Sequence, residues 1–339
     1  LVLIIGLTGC GFNWGGQPQI ELTLASFAVT RDAYDLIIPK FTRQWQQQHG
    51  QKLVILQSYG GSGAQTRAVV DGLDADIVHL ALGLDTDRLV KAELVRSDWQ
   101  TRTPNQGIVT QSVVALATRK GNPKNIQDWS DLAQPGIQVI TADPKTSGVA
   151  RWNFLALWSA AAAVNQPKES PATLPVQPPL PPPETFVQQV YANVPILARD
   201  AREATDIFLK GQGDALINYE NEMIMAQAHG QILDYTVPGV NISIDNPVAI
   251  VDKNVDKHQT REVAEAFIQY LFTPEAQQLF AQTGFRPVNA QVQQAPEQRQ
   301  RFPQIARLFT VKDFGGWKKV QAQFFGDTGL FNKIQVQRM

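Results

Sequence analysis

The sequence predicts an α/β protein with room for two lobes, and three observations carry that reading. From residue 21 onward, strand-like and helix-like segments alternate in β-α-β-α-β order, the pattern of a largely parallel sheet flanked by helices. A second strand-and-helix series begins near Ser112. The 339 residues are enough for two compact units, each with its own core.

In chain order, residues 22–25 (LTLA) read as the first strand. Over residues 30–48, Tyr34, Ile37, Ile38, Phe41 and Trp45 recur at helical spacing and give one apolar face. Residues 53–57 form a second strand; the loop that follows carries Gly60, Gly61 and Gly63 around Ser62 and opens a helix to about Leu73. The apolar run 76–82 is a third strand. In the second series, 112–117 and 137–142 read as strands, 151–163 as a helix rich in tryptophan and alanine, and 214–219 and 232–237 as two further strands. Residues 247–251 suit a strand returning to the first lobe, and Val263, Ala264, Phe267, Tyr270 and Leu271 mark one face in a helical C-terminal third. The proline-dense segment 165–184 is expected to be an extended surface insertion between two helices.

Composition excludes some functions. A net charge of -1 with no run of Lys and Arg argues against a duplex-DNA binder, which needs a basic field to neutralise phosphates. The single cysteine, Cys10, excludes internal disulfides and a cysteine-cluster metal site. Its context, LVLIIGLTGC, is too short to span a bilayer, which takes roughly twenty residues, but suits the apolar part of a secretory signal. Leu7-Thr8-Gly9-Cys10 resembles a bacterial lipobox, so Cys10 is the expected lipidation site, residues 1–19 being a signal remnant and tether.

The glycine loop admits several chemistries. A phosphate-binding Walker loop needs a lysine directly before the Ser or Thr, and Gly61 stands there. A nucleophile elbow needs Gly-x-Ser-x-Gly; here Ala64 replaces the last glycine, and only His229 and His258, neither in a recognisable triad context, follow as candidate bases. The four histidines lie tens of residues apart and form no metal-ligand pair. The remaining reading is an anion receptor made of helix N-termini, whose first amides have no partner inside the helix and whose dipole favours negative charge. Similar small-residue loops open helices after Ser26, around Thr146-Ser147-Gly148 and near Ala201, on both expected lobes.

The blocks SFAVTRDAY, QSYGGSGAQ, RKGNPKNIQDWSDL, PKTSGVARWNFLALW, GDALINYENE, YLFTPEAQ and FGGW resemble the periplasmic sulfate-binding proteins of ABC importers, with thiosulfate-binding proteins as close relatives. The resemblance runs from Leu22 to about Asp327. It implies a type II periplasmic-binding-protein fold, with mostly parallel sheets in two lobes, hinge strands between them and the anion held in the cleft. The implied division is 20–107 with 246–339 as one lobe and 108–245 as the other. It implies no catalysis, no cofactor and no metal, and as partners sulfate, an ABC permease and its ATPase, the receptor itself being a monomer without nucleic acid. Matched residue by residue, the implied ligand-binding set is Ala28, Ser62, Ser147, Gly148, Val149, Ala201 and Tyr219. Three positions depart from the family pattern: Val149 stands where a second glycine is common, Tyr219 replaces a tryptophan donor, and Asp200 replaces a glycine. A carboxylate at 200 is expected to point away from a dianion; turned inward, it would accept the proton of hydrogen phosphate. Thiosulfate or another tetrahedral oxyanion is the alternative ligand, and a serine hydrolase using Ser62 the remote alternative.

Overall fold

A computed structural model describes residues 19–164 and 180–337; Cys10, its tether and the proline-dense segment as far as residue 179 lie outside them. The chain lays down β1 (Gln19–Phe27), β2 (Lys52–Gly60), β3 (Ile77–His79) and β4 (Ile108–Ser112). It then continues into β5 (Val114–Arg119), β6 (Val139–Ala142), β7 (Leu197–Ala198), β8 (Ala215–Tyr219) and β9 (Leu233–Thr236). The strands β10 (Val240–Ile242) and β11 (Ile244–Ile250) bring it back, and β12 (Arg307–Phe309) later pairs with β10.

Two five-stranded sheets result, in the orders β2-β1-β3-β11-β4 and β7-β6-β8-β5-β9. In the first, β1 is parallel to β2 and β3, while β11 is antiparallel to β3 and β4, so four strands share one direction. The second repeats this plan, with β5 as the reversed strand. This is the expected type II arrangement.

Helices α1 (Arg31–His49), α2 (Ser62–Val70) and α3 (Gly83–Lys91) follow the first three strands. The second lobe carries α4 (Gly148–Val164), α5 (Pro183–Ala192), α6 (Ala201–Leu209) and α7 (Glu220–Ala228). After β11 come α8 (Asp252–His258), α9 (Arg261–Leu271) and α10 (Pro274–Gln282). Amphipathic spacing explains α1: Ala33, Tyr34, Ile37, Ile38, Phe41 and Trp45 are all buried on one face, and their packing keeps the helix intact through the exposed Pro39.

Two strands differ from the sequence expectation, and one contact goes beyond it. The apolar run 112–117 is not one strand but two, because the chain passes between the sheets at Val113. Asn241 splints the crossing, its side chain accepting from Val114 N at 3.0 Å and donating to Val114 O at 2.8 Å. The first sheet therefore keeps β4. The run 76–82 yields a ladder only over Ile77–His79, since the amide of Ala81 is taken by a side chain in the cleft. From Arg307 on, the C-terminal segment packs against α4, α5 and β10. There Trp317 meets Trp152 at 4.7 Å, Phe324 packs on Phe154 and Trp158, and Phe331 on Tyr191. Aromatic residues on one face of α4 and α5 need a cover, and this segment supplies it.

Candidate functional site

The site forms where the parallel strands of both sheets end and helices begin, the place where open α/β sheets leave a crevice. After β1 the chain makes one tight turn, Ala28–Thr30, before α1, held by a 2.7 Å bond between the hydroxyls of Ser26 and Thr30 and by Thr30 donating to Phe27 O. β2 runs through Gly60 and Gly61 into α2, and β6 through 143–147 into α4. β7 leads through Arg199 and Asp200 into α6, and Tyr219 ends β8 directly at the start of α7. Ala28, Ser62, Gly148 and Ala201 are thus each the first residue of a helical segment. Their amides point beyond the helix end.

These four converge on a small cavity between the lobes. All seven residues singled out from the sequence line it: Ala28 and Ser62 from the first lobe, and Ser147, Gly148, Val149, Ala201 and Tyr219 from the second. Phe27, Val29, Gly60, Gly61, Ala81 and Asp200 complete the wall. No lysine or arginine side chain lines it. A wider groove lies elsewhere, beside the chain crossing at Val113 and Ser243, and contains none of these residues.

The lobes are closed on one another. A Cβ added at Gly61 would sit 2.6 Å from Thr146 O across the cleft, and one at Gly148 would sit 2.4 Å from the Ala81 Cβ. Neither glycine has a positive φ, so close approach, not backbone conformation, demands the missing side chain. Trp152 Nε1 donates to Ala81 O at 2.8 Å and Arg202 Nη2 to Asp32 Oδ2 at 2.9 Å, both bonds spanning the lobes.

Two hydroxyls and one carboxylate decide the chemistry. Tyr219 is buried, its hydroxyl has no hydrogen-bond partner, and burial raises its pKa well above the ordinary phenol value, with Asp85, Glu222 and Asp200 adding to the rise. It therefore keeps its proton and offers an unused O–H donor. Ser147 is buried at the turn into α4. Asp200 caps α6, its Oδ1 accepting from Glu203 N at 2.9 Å, so the capping bond turns this oxygen to the helix and not to a ligand.

The hydroxyl of Ser62 is already engaged. It donates to Asp85 Oδ2 at 2.7 Å and accepts from Ala81 N at 2.9 Å. The backbone N–H is what Ser62 has free to give. None of the histidines serves it. His79 is buried between Tyr34 OH and Thr110 Oγ1, with its pKa held down to about 3 by desolvation, and His258 bonds to Asp76. His229 ends α7 on the surface.

Three arginines near the loops are committed elsewhere. Arg202 bridges Asp32 and the buried Glu222, and Arg31 lies 4.6 Å over the Tyr59 ring. Arg151, buried behind the first turn of α4, donates to Pro144 O and Gln321 Oε1; desolvation lowers its pKa to about 10.

Fold and site together define a two-lobed receptor that closes over a small solute. The chain belongs to the bacterial extracellular solute-binding proteins, whose family model matches residues 22–286, and within them to the sulfate- and thiosulfate-binding proteins. It is 52% identical to the sulfate-binding protein of Synechococcus elongatus, over 98% of this chain and 93% of that one. Identity is 39% to the sulfate-binding protein of Escherichia coli, covering 93% of each, and 35% to the thiosulfate-binding protein of Pseudomonas aeruginosa, covering 98% and 96%. Among solved structures, the sulfate-binding protein SubI of Mycobacterium tuberculosis superposes with a TM-score of 0.79 at 37% identity, over 91% of this chain and all of that one.

Proposed function

We propose that this protein is an extracytoplasmic receptor that binds sulfate between its lobes and delivers it to an ABC permease driven by an ATPase. One observation carries the reading: a cleft between the lobes walled by helix N-termini and hydroxyl groups, with no cationic side chain among the described residues that line it. Such a wall suits a small, fully ionised oxyanion, because each oxygen finds an N–H or O–H aimed at it without reorganisation. The amides of Ala28, Ser62, Gly148, Val149 and Ala201 and the hydroxyls of Ser147 and Tyr219 are the proposed donors. The names of the most similar relatives support sulfate as the ligand.

The protein makes and breaks no bond in this reading, acts as a monomer, and is held at the membrane by lipid on Cys10. Val149 contributes its amide, which serves whatever its side chain. A wall built mainly of amides disfavours hydrogen phosphate, whose O–H would either be left unpaired or take a hydroxyl away from donating to the anion. Calorimetric titration of ligand-stripped protein with sulfate, thiosulfate, phosphate and molybdate tests the proposal. Tight sulfate binding that phosphate does not displace is expected. A preference for thiosulfate would move the protein to the other branch of its family, and no heat with any of the four anions would overturn the reading.

A further inference from the structure

We propose that Asp85 determines which oxyanions the cleft admits, by holding the hydroxyl of Ser62 out of it; this inference rests on the sulfate reading above. Asp85 is buried at the start of α3 and does not itself line the cavity. One of its oxygens takes the Ser62 proton at 2.7 Å, and the other takes Arg88 Nη1 at 3.1 Å. Ala81 N completes the clamp on Ser62 Oγ at 2.9 Å. A serine hydroxyl has one hydrogen and two lone pairs. With the hydrogen fixed on Asp85 and one lone pair on Ala81, the side chain is pinned in a single rotamer.

The consequence is chemical. Ser62 lines the cavity, so an unpinned hydroxyl there would turn toward the ligand, and unlike an amide it accepts as well as donates. It would then take the proton of a hydrogen phosphate or hydrogen arsenate without drawing a donor away from the anion, and so reduce the penalty against them. Asp200 has an oxygen committed to the cap of α6, and the hydroxyls of Ser147 and Tyr219 are spent as donors in the proposed mode, so a released Ser62 hydroxyl is an added acceptor. Asp85 is in this sense a positioning residue: it acts through Ser62, and the group it controls is the one that would relax specificity.

Binding of sulfate and of hydrogen phosphate is measured by calorimetry on four proteins: the unsubstituted chain, Asp85→Ala, Ser62→Ala and the double variant. Circular dichroism and thermal melting confirm that each is folded. In Asp85→Ala the ratio of sulfate to phosphate affinity is expected to fall by about tenfold or more, the worth of satisfying one unpaired buried group. Ser62→Ala keeps its amide and is expected to bind sulfate more weakly without gaining phosphate. The double variant, lacking the released hydroxyl, regains discrimination, and Asp85→Asn, whose carbonyl oxygen still accepts from Ser62, retains it. A purely supporting role for Asp85 would lower both affinities together, and a double variant as permissive as Asp85→Ala would mean that Ser62 is not the mediator; either result overturns the inference. If Asp85→Ala does not fold, Asp85→Ser, too short to reach Ser62 as Asp85 does, carries the same comparison. Absence of sulfate binding by the unsubstituted chain would instead refute the functional reading on which the inference stands.

Discussion

Replacing Gly148 by alanine separates folding from function. Gly148 opens α4 in the second lobe, and the nearest atoms to an added Cβ all belong to the first: Ala81 Cβ at 2.4 Å, Leu82 Cδ2 at 2.7 Å and Ser62 Cβ at 3.4 Å. Carbon atoms rest at about 3.5 Å or more, so the lobes must part by roughly 1 Å before the methyl fits. A hydrogen bond of about 2.9 Å stretched by that amount ceases to be one. Two donor bonds to a charged ligand lost in this way cost about 3 kcal/mol, or about a hundredfold in Kd. The open form has no such clash. There the alanine restricts the unfolded chain and suits a helix start, so apo stability is expected to rise by up to about 1 kcal/mol. Calorimetry would give the Kd and thermal melting without ligand the stability, while small-angle scattering with sulfate would report whether the envelope still contracts. Near-native affinity in Gly148→Ala would refute the claim that ligand binding requires the lobes to meet this closely.

Other outcomes follow from the same geometry. Tyr219→Phe removes a buried hydroxyl that has no protein partner, so the melting temperature without ligand should hold or rise while affinity falls about tenfold; a drop in stability instead would show the hydroxyl is satisfied within the protein. Asp32→Asn breaks the ion pair to Arg202 across the lobes; with both side chains partly exposed it is worth about 1 kcal/mol, read as an approximately fivefold faster dissociation in stopped-flow with little change in association. His79 is held neutral, its pKa lowered from 6.5 to about 3 by burial, so the unfolded state binds a proton that the folded state refuses. Its contribution is present above pH 6.5 and is lost as pH falls toward 3, about 2 kcal/mol of it between roughly pH 7 and 5. Urea unfolding at those two pH values should show a shallower loss for His79→Gln than for the unsubstituted chain, and an equal loss would count against the burial effect.

Most strands and helices that wall the cleft were legible because each rests on local pattern; the short β7, β10 and β12 were not. The apolar face of α1 is written at helical spacing, and the small residues at 61–63 and 146–148 mark helix starts wherever they fold. Asp200 was legible too, although it first reads as an intruding charge. Asp200 with Glu203 three residues on is a helix-start signature, and the structure uses the aspartate as a cap. The rest depended on pairs distant in sequence. Nothing in a continuous apolar run such as 112–117 tells which sheet each half joins, since both halves are buried. Ser62 reads as a ligand hydroxyl until Asp85, twenty-three residues away, is brought to 2.7 Å from it. The glycines at 61 and 148 look like flexibility in the sequence, whereas the opposite lobe dictates them.

The division of donors explains why a receptor for a dianion manages without a cation in its cleft. Ala28 and Ser62 stand on one lobe, and Ser147, Gly148, Val149, Ala201 and Tyr219 on the other. In the proposed mode of binding, neither lobe alone replaces the hydration of the anion, so occupancy and closure are a single event, each weak without the other. An arginine in the wall would attract any anion to the open lobe and uncouple the two. The arginines that approach the loops are instead spent elsewhere: Arg202 on carboxylates of both lobes, and Arg151 on a carbonyl and a glutamine that tie α4 to the C-terminal segment. Because the ion pair between Asp32 and Arg202 forms only when the lobes meet, closure is also written on the rim of the cleft, where a membrane partner would be able to distinguish a loaded receptor from an empty one.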